Sequence, residues 1–199
     1  MPIPLPDLEH AALLSMDLHT SVVAAYLQGP EDFLTRIAGV QAAARESGIP
    51  VIHVQVGFRP GLPEISSRNA LFAALKSSPQ WQKMFAGDSG ALHPAVAPMG
   101  DEIVVTKHRV SAFAGTDLEM ILRAQEIDTL VLLGVATSGV VLSTLLDAAD
   151  ADFRLAVVPD CCADRDPELD ACLKQRFFPM RAAVADAAEI ADAMRRRSS

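Results

Sequence analysis

The sequence has little of what secreted, membrane-bound and metal-stabilised proteins use. Its three cysteines, Cys161, Cys162 and Cys172, are odd in number and show no C-x-x-C spacing, so neither a disulfide framework nor a zinc site follows from them. No apolar run approaches the roughly 18 residues that span a bilayer. The N-terminus lacks the basic start and long apolar stretch of a secretory signal. These absences predict a cytoplasmic protein with reduced thiols and no membrane segment.

Basic residues are also scarce. Lys and Arg number 17 against 25 Asp and Glu, which gives a formal net charge of -8. This acidic balance argues against nucleic acid and anionic membranes as partners. Half of the 199 residues are hydrophobic, enough to bury a sizeable core as one unit. Because no linker, repeat or low-complexity tract divides the chain, we expect a single domain over residues 1–199.

Strand-like and helix-like patterns alternate along the chain, which is typical of a parallel sheet with helices on both faces. The patterns predict helices at 31–47, 69–76 and 187–194, and strands at 11–16, 49–56, 103–106, 129–134, 154–159 and 182–185. The expected fold class is α/β, a three-layer, Rossmann-like arrangement. Its mainly parallel six-stranded sheet is doubly wound in the order 3-2-1-4-5-6, with the site where strands one and four diverge.

The segment 130–148, LVLLGVATSGVVLSTLLDA, contains the strongest functional signal. A continuous apolar run predicts a strand buried on both faces, and Gly134 ends it. Thr137 and Ser138 are expected to cap the helix that follows. A strand, a turn and a helix N-terminus place backbone N–H groups at the carboxyl edge of the sheet, where open α/β proteins bind ligands. Acyl-transfer enzymes place a nucleophile and an oxyanion hole there.

This segment resembles the isochorismatase-like hydrolase superfamily, which has the cysteine hydrolase fold. The usual motif of that family reads G-V-x-T-[ND]-x-C-V and is followed by a helix. The residues that match it are Gly134, Val135, Thr137 and Val141. Ser138 replaces the usual Asn or Asp, and Val140 stands at the position of the nucleophilic cysteine. Because a valine cannot attack a carbonyl, this chain lacks the nucleophilic sulfur that the commonest reaction of the family requires at this position.

The resemblance extends to two earlier segments. LLSMD at 13–17 resembles the first strand of the family and ends in its catalytic aspartate, and the stretch 107–135 resembles its lysine-bearing loop. The resemblance therefore implies Asp17 and Lys107 as catalytic residues. Both follow buried strands, and an acid and a base at separate strand ends are the usual arrangement of an α/β active site. We expect them within salt-bridge distance, with Val140 at the floor of the same cavity.

The resemblance also implies residues that contact the substrate. In the superfamily the peptide between the positions of Val135 and Ala136 is typically cis and orients backbone N–H groups toward the substrate. Val135, Ala136 and Thr137 are therefore expected at the substrate. Phe113 follows the lysine loop and is the preferred aromatic wall of the pocket.

No metal and no cofactor are expected. Asp17 and His19 form a D-x-H pair, but His19 lies past the strand end. The metal-binding branch of the resembled family, the nicotinamidases, carries its D-x-H in a later segment. His53 lies within VIHVQV, where a hydrogen-bonded core histidine is commoner than a ligand. The partner expected for this site is a small-molecule substrate.

Three functions remain open from the sequence. In the first, the protein is a hydrolase without a thiol, with Asp17 as general acid or base and Lys107 as its electrostatic partner. Isochorismatases proper, within the resembled superfamily, also lack the cysteine and cleave a vinyl ether. In the second, the chain is catalytically silent and binds a small molecule or serves in an assembly. In the third, Cys161 or Cys162 replaces the missing nucleophile in an amidase-type reaction.

The segment 57–100 predicts self-association. It is rich in Pro, Gly and Ser, yet it carries more large apolar groups than an exposed loop normally tolerates: Phe58, Leu62, Leu71, Phe72, Leu75, Trp81, Met84 and Phe85. They can fold back onto their own sheet or cover a neighbouring subunit, because large exposed apolar patches usually mark contacts. Members of the resembled superfamily commonly form dimers or tetramers. We expect a homodimer or larger homo-oligomer with this segment at or near the interface.

Overall fold

Six parallel strands form the central sheet of the protein in a computed structural model that describes residues 3–85 and 90–197. The strands are β1 (Ala11–Met16), β2 (Val51–Val56), β3 (Val104–Lys107), β4 (Thr129–Val135), β5 (Arg154–Ala163) and β6 (Ala183–Val184). They lie in the order β3-β2-β1-β4-β5-β6, and each neighbouring pair is parallel. The predicted fold class and strand order are confirmed.

Helices cover both faces of the sheet. They are α1 (Thr20–Tyr26), α2 (Glu31–Glu46), α3 (Ala70–Ser77), α4 (Pro79–Lys83), α5 (Leu118–Ala124), α6 (Leu142–Asp150), α7 (Pro167–Cys172) and α8 (Ala187–Arg197). One apolar core contains residues of α2 and α8, and the other contains residues of α5 and α6. Within the described part of the chain, no helix combines the length and apolar character needed to cross a bilayer.

The two central strands explain why the sheet has two cores. All residues of β1 and β4 are buried, as expected for strands with helices on both faces. Successive side chains of a strand point to opposite faces. Leu13 therefore packs in the core below α2 and α8, while Leu14 packs in the core with α5 and α6. Burying one such leucine contributes about 1.5–3 kcal/mol.

The backbones of β1 and β4 approach closely at the carboxyl edge of the sheet. Gly134 has a φ of 145°, and a Cβ atom at this position would lie 2.2 Å from the carbonyl oxygen of Met16. Only glycine fits this conformation and this contact without displacing the neighbouring strand. The chain therefore leaves β4 directly beside Asp17, the residue that follows Met16.

Two elements at the carboxyl edge differ from the sequence prediction. β5 continues to Ala163 instead of ending near Pro159, and its pairing with β4 is irregular between Leu132 and Gly134. Pro159 lies in this irregular stretch. Its missing N–H therefore removes no hydrogen bond from the regular pairing of β4 and β5. The turn after β4 was expected to begin with a capping Thr or Ser. It instead forms a π-helical turn, Thr137–Val141, which is kinked at Gly139 and whose N-cap residue, Ala136, makes no side-chain cap.

The segment 57–100 contains α4 in addition to the one helix predicted there. Its apolar side chains largely fold back on the same chain. Ile65, Phe72 and Leu75 form a small buried cluster. Leu71 and Trp81 remain 51% and 39% exposed. Residues 86–89 of the segment lie outside the described residues.

Candidate active site

Asp17 and Lys107 meet at the carboxyl edge of the sheet. Asp17 follows β1 with a φ of 55°, a left-handed conformation in which Asp is enriched, and its N–H donates to Val54 O at 2.8 Å. Lys107 is the last residue of β3. Lys107 Nζ lies 2.7 Å from Asp17 Oδ2, and both residues are buried. The predicted ion pair is confirmed by this geometry.

The Asp17 carboxylate is in an environment that favours its protonated form. Burial raises the pKa of Asp17, whereas the charge and hydrogen bond of Lys107 lower it to a smaller extent. Lys107 Nζ also donates to Arg109 O at 3.1 Å. Asp17 Oδ1 is buried and has no hydrogen-bond partner among the described residues. This oxygen is therefore the atom at which a proton or a substrate hydrogen can bind.

A cavity of about 190 Å³ opens beside the pair. Most of its walls are apolar and come from α1, α3, α4 and the turn after β4. Its lining residues are Asp17, Val22, Tyr26, Val56, Leu71, Phe72, Leu75, Trp81, Met84, Phe85, Lys107, Val110, Val135, Ala136, Gly139, Val140 and Arg165. The predicted placement of Val140 in the same cavity as the ion pair is confirmed.

The turn after β4 forms one wall of the cavity. The peptide bond between Val135 and Ala136 is cis. Gly139 N–H and Val141 N–H both donate to Ala136 O, at 3.1 and 3.2 Å. Val140 is 1% exposed and lines the same cavity as the ion pair. Two of the predicted contact positions, Val135 and Ala136, thus share the cavity with Val140.

Thr137 is not part of the cavity lining. Its hydroxyl donates to Asp170 Oδ1 at 2.5 Å, and Lys174 Nζ lies 2.6 Å from the other oxygen of that carboxylate. Asp164 Oδ2 accepts a hydrogen bond from Ser138 N–H at 2.7 Å. The polar group of Thr137 thus faces α7 and supports the turn from behind, and a contact of Thr137 with the substrate stays a prediction.

Phe113 also lies outside the cavity lining. Its ring packs against Phe153, with the ring centroids 5.9 Å apart, and it contacts the core that contains α5 and α6. The aromatic walls of the cavity come instead from Tyr26, Phe72, Trp81 and Phe85. The expectation for Phe113 is therefore corrected, because its apolar ring is attracted to the nearest core rather than to the crevice.

The two neighbouring cysteines are not placed as nucleophiles. Cys161 and Cys162 are 0% and 3% exposed and point into the opposite cores of the sheet. Burial raises the pKa of both thiols, to about 12 for Cys162. A buried neutral thiol is inert, because the thiolate is the nucleophile. Neither residue lines the cavity, so this structure does not support the third hypothesis.

His19 has a fixed structural role next to Asp17. Val56 N–H donates to its Nε2 at 3.0 Å, so Nδ1 carries the hydrogen and donates to Gly90 O at 2.7 Å. Burial lowers the pKa of His19 and keeps it neutral. His53 is a buried histidine whose Nε2 donates to Glu102 Oε2 at 2.9 Å. Among residues 3–85 and 90–197, no three His, Cys, Asp or Glu side chains are grouped as a metal site requires.

Two further residues of the cavity, Arg165 and Tyr26, were not predicted from the sequence. Arg165 follows β5, and only the extension of that strand past Pro159 brings it to the carboxyl edge. The position of Arg165 shortly after a predicted strand was the feature of the sequence that could have indicated it. Tyr26 is the single tyrosine of the chain and the last residue of a helix that was not predicted. No pattern in the sequence indicated that these two residues reach the same cavity.

Comparison with known proteins gives consistent matches. The isochorismatase domain model matches residues 11–189. A maleamate amidohydrolase from Pseudomonas putida is 34% identical over 141 residues, which are 70% of this chain and 64% of that protein. The match thus spans less than two thirds of that relative. An uncharacterized isochorismatase family protein, YecD of Escherichia coli O157:H7, is 31% identical over 190 residues, covering 92% of this chain and 95% of that protein.

A solved structure shows the same architecture. An isochorismatase family protein from Burkholderia thailandensis superposes with a TM-score of 0.81 at 27% sequence identity. The match covers 96% of this chain and 99% of the other. The likeness therefore includes the whole sheet and both helical layers.

Proposed function

This chain belongs to the isochorismatase family, and on that premise we propose that it is a hydrolase of small carboxylic acids that uses water as its nucleophile. Asp17 is the general acid and base, and Lys107 is its electrostatic partner. The observation that carries the proposal is the buried ion pair at 2.7 Å, in which Asp17 Oδ1 has no partner among the described residues. Since Val140 supplies no reactive atom, the nucleophile comes from solvent.

The raised pKa of Asp17 suits proton exchange, because an acid–base catalyst works best when its pKa lies near the working pH. For an amide or ester, Asp17 accepts a proton from water as the water oxygen bonds to the acyl carbon. It returns that proton to the leaving atom when the bond to this atom breaks. For a vinyl ether, Asp17 first protonates the alkene carbon, and water adds to the resulting cation while Asp17 takes a proton back from that water. The bond to the ether oxygen then breaks in the hemiketal, and the leaving alcohol receives a proton from Asp17. The Lys107 ammonium stabilises negative charge that develops beside it.

The cavity favours a small anionic substrate. Its volume of about 190 Å³ is below the ~300–1,000 Å³ of pockets for drug-sized ligands. Arg165 adds a guanidinium to the lining, and arginine matches the geometry of a carboxylate. The relative from P. putida is named for maleamate, a small acid that carries an amide. We therefore propose substrates in which a short carbon chain joins a carboxylate to an amide, ester or ether.

Turnover of a defined panel tests this function. Purified protein is incubated with maleamate, monomethyl maleate and a vinyl ether of a small hydroxy acid, and the products are followed by NMR. We expect turnover of at least one compound and a loss of about 10²–10⁴-fold in kcat/KM for Asp17→Asn. The matched control Asp101→Asn changes an exposed carboxylate and should leave the rate unchanged. Full activity in Asp17→Asn would remove the proposed mechanism.

A second candidate, a catalytically silent binding protein, is favoured by one observation. The cavity wall beside the ion pair carries the inert side chain of Val140, at the position where the family resemblance places a thiol. This candidate predicts no turnover by the natural protein but gain of amidase activity on maleamate in Val140→Cys, because the new thiol lies in the same cavity as Asp17 and Lys107. Val141→Cys, whose side chain is buried outside the cavity lining, is the matched control. Turnover by the natural protein would reject this candidate.

A further inference from the structure

Arg165 and Tyr26 form a stacked pair at the cavity wall. The Arg165 guanidinium carbon lies 4.6 Å from the centroid of the Tyr26 ring. Tyr26 is the last residue of α1, whereas Arg165 lies between β5 and α7. The contact therefore joins two distant parts of the chain, and both side chains line the cavity that contains Asp17. Such stacking is electrostatically favourable because the ring face is negative.

The N–H donors of the Arg165 guanidinium are available to a ligand. Within residues 3–85 and 90–197 the Arg165 side chain forms no salt bridge and donates no hydrogen bond. The backbone N–H of Arg165 donates to Asp164 Oδ1. The other cation of the cavity, Lys107, is already paired with Asp17. The arginine is thus the positive group available to an anionic ligand, and its planar fork can hold a carboxylate with two hydrogen bonds.

We infer that Tyr26 is a positioning residue that fixes the Arg165 guanidinium at the cavity wall and thereby makes the site selective for carboxylates. An arginine side chain loses rotamer freedom when it binds a ligand. Stacking on a ring confines the guanidinium before the ligand arrives, so less freedom remains to be lost. Burial raises the pKa of the Tyr26 phenol, so this residue adds a neutral ring and no competing anion.

This inference deepens the proposed function by naming the group that selects its substrates, but it concerns binding and does not require turnover. Equilibrium binding of succinate, which has no amide, ester or ether to cleave, separates the two questions. Isothermal titration compares it with succinamide, the neutral diamide of the same carbon chain. We expect the natural protein to bind succinate at least about tenfold more tightly, since hydrogen bonds between charged groups are stronger than those to a neutral amide.

Three variants assign the effect to the stack. Tyr26→Leu should weaken succinate binding roughly two- to tenfold, the range expected when one long side chain must be immobilised on binding. Tyr26→Phe keeps the ring and should bind succinate like the natural protein. Arg165→Gln should reduce succinate binding to the level of succinamide. Succinamide binding should change little in all three.

A matched control removes a similar stack elsewhere. The Arg181 guanidinium carbon lies 4.2 Å from the centroid of the Phe177 ring, and neither residue lines the cavity. Phe177→Leu should therefore leave succinate affinity unchanged. Equal affinity for succinate and succinamide in the natural protein, or natural succinate affinity in Tyr26→Leu, would overturn the inference. Absence of hydrolysis in the substrate panel, with this binding pattern intact, would reject only the proposed reaction.

Discussion

Asp17 and Lys107 bury two charges that water would otherwise solvate. Removing an ion pair from water costs several kcal/mol per ion, and the attraction between the charges offsets this cost only when the geometry is favourable. The pair has a short contact of 2.7 Å, but Asp17 Oδ1 receives no hydrogen bond from the described residues. An incompletely satisfied buried pair is a weak source of stability. This agrees with a role in chemistry rather than in folding.

Removing one charge of the pair should therefore cost more stability than removing both. Lys107→Met leaves the Asp17 carboxylate buried without a counter-charge, and we expect a loss of roughly 3–5 kcal/mol at pH 7.5. The double variant Asp17→Asn/Lys107→Met should lie within about 1 kcal/mol of the natural protein or above it. Urea unfolding of both variants measures the difference. Equal losses in the single and double variants would contradict this account.

The loss in Lys107→Met should also depend on pH. Burial raises the Asp17 pKa above its unfolded value, so the protonated carboxyl favours the folded state and ionisation disfavours it as the pH rises. Without Lys107, the same burial acts unopposed. The deficit should accordingly be largest near pH 8 and shrink toward pH 5, as followed by urea unfolding across that range. A deficit that grows on acidification would reverse the assignment.

Sequence patterns predicted the positions of these two residues but not those of two others. Asp17 and Lys107 terminate apolar strands, and parallel strands bring their ends to one edge of the sheet. Thr137 and Phe113 lie in irregular segments, where the direction of a side chain depends on tertiary partners. The Thr137 hydroxyl donates to Asp170, and the Phe113 ring packs against Phe153. Both partners are distant in sequence.

At the scale of elements, His19 links the end of β1 to two other segments. Its ring connects Val56, the last residue of β2, with Gly90, and its backbone pairs with Leu92. Thr20 N–H donates to Ala91 O at 3.0 Å. The residues just after Asp17 thus hold the segment that follows α4 against the sheet.

Replacing His19 should loosen this link. His19→Ala leaves Val56 N–H and Gly90 O without their ring partner, and we expect a loss of roughly 2–4 kcal/mol at pH 7.5. His10→Ala, at an exposed histidine, should stay within about 0.5 kcal/mol of the natural protein. Urea unfolding gives both values. A loss in His19→Ala no larger than in the control would show that the ring bonds contribute nothing.

Acidification should weaken the same link. Burial lowers the His19 pKa from its ordinary 6.5, so its neutral form stabilises the fold above about pH 6.5, and that contribution is lost as the pH falls toward the folded pKa. The difference between His19→Ala and the natural protein should therefore be smaller at pH 5.5 than at pH 7.5. His53, whose pKa burial also lowers, should retain part of the acid sensitivity in the variant.

Regular elements were predictable where burial is continuous. β1 was predicted to the residue, because every side chain from Ala11 to Met16 is apolar or small and faces a core. The extension of β5 was not, since Pro159 and Asp160 interrupt the apolar pattern. The π-helical turn, Thr137–Val141, also has no recognised signature in the sequence. In this turn the Thr137 hydroxyl donates to the Asp170 carboxylate and Ser138 N–H donates to the Asp164 carboxylate, and both acceptors are distant in sequence.

At the scale of the whole molecule, self-association remains a prediction. Leu71 and Trp81 are exposed apolar residues at the cavity. A partner subunit that covers them would remove their apolar surface from water, which favours association. Sedimentation equilibrium at micromolar concentration should give a mass of at least about twice 21.2 kDa. Leu71→Lys should weaken the assembly by about tenfold or more. Met120→Lys, at a residue 68% exposed on α5, is the matched control.

Two outcomes of that measurement are decisive. A monomer in the natural protein would reject the assembly itself. An oligomer that tolerates Leu71→Lys as well as it tolerates Met120→Lys would reject only the placement of the segment 57–100 at the interface.

The close approach at Gly134 has a consequence for how altered specificity can evolve in this protein. Any side chain there would collide with Met16, the residue before Asp17, so variation at this point disturbs the proposed reaction and the shape of the cavity together. The walls supplied by α3 and α4 carry no reacting group. Leu71 and Trp81 can change size or polarity while the charged pair stays in place. Selection for a new substrate should therefore accumulate substitutions in these two helices and leave the crossing of β1 and β4 intact.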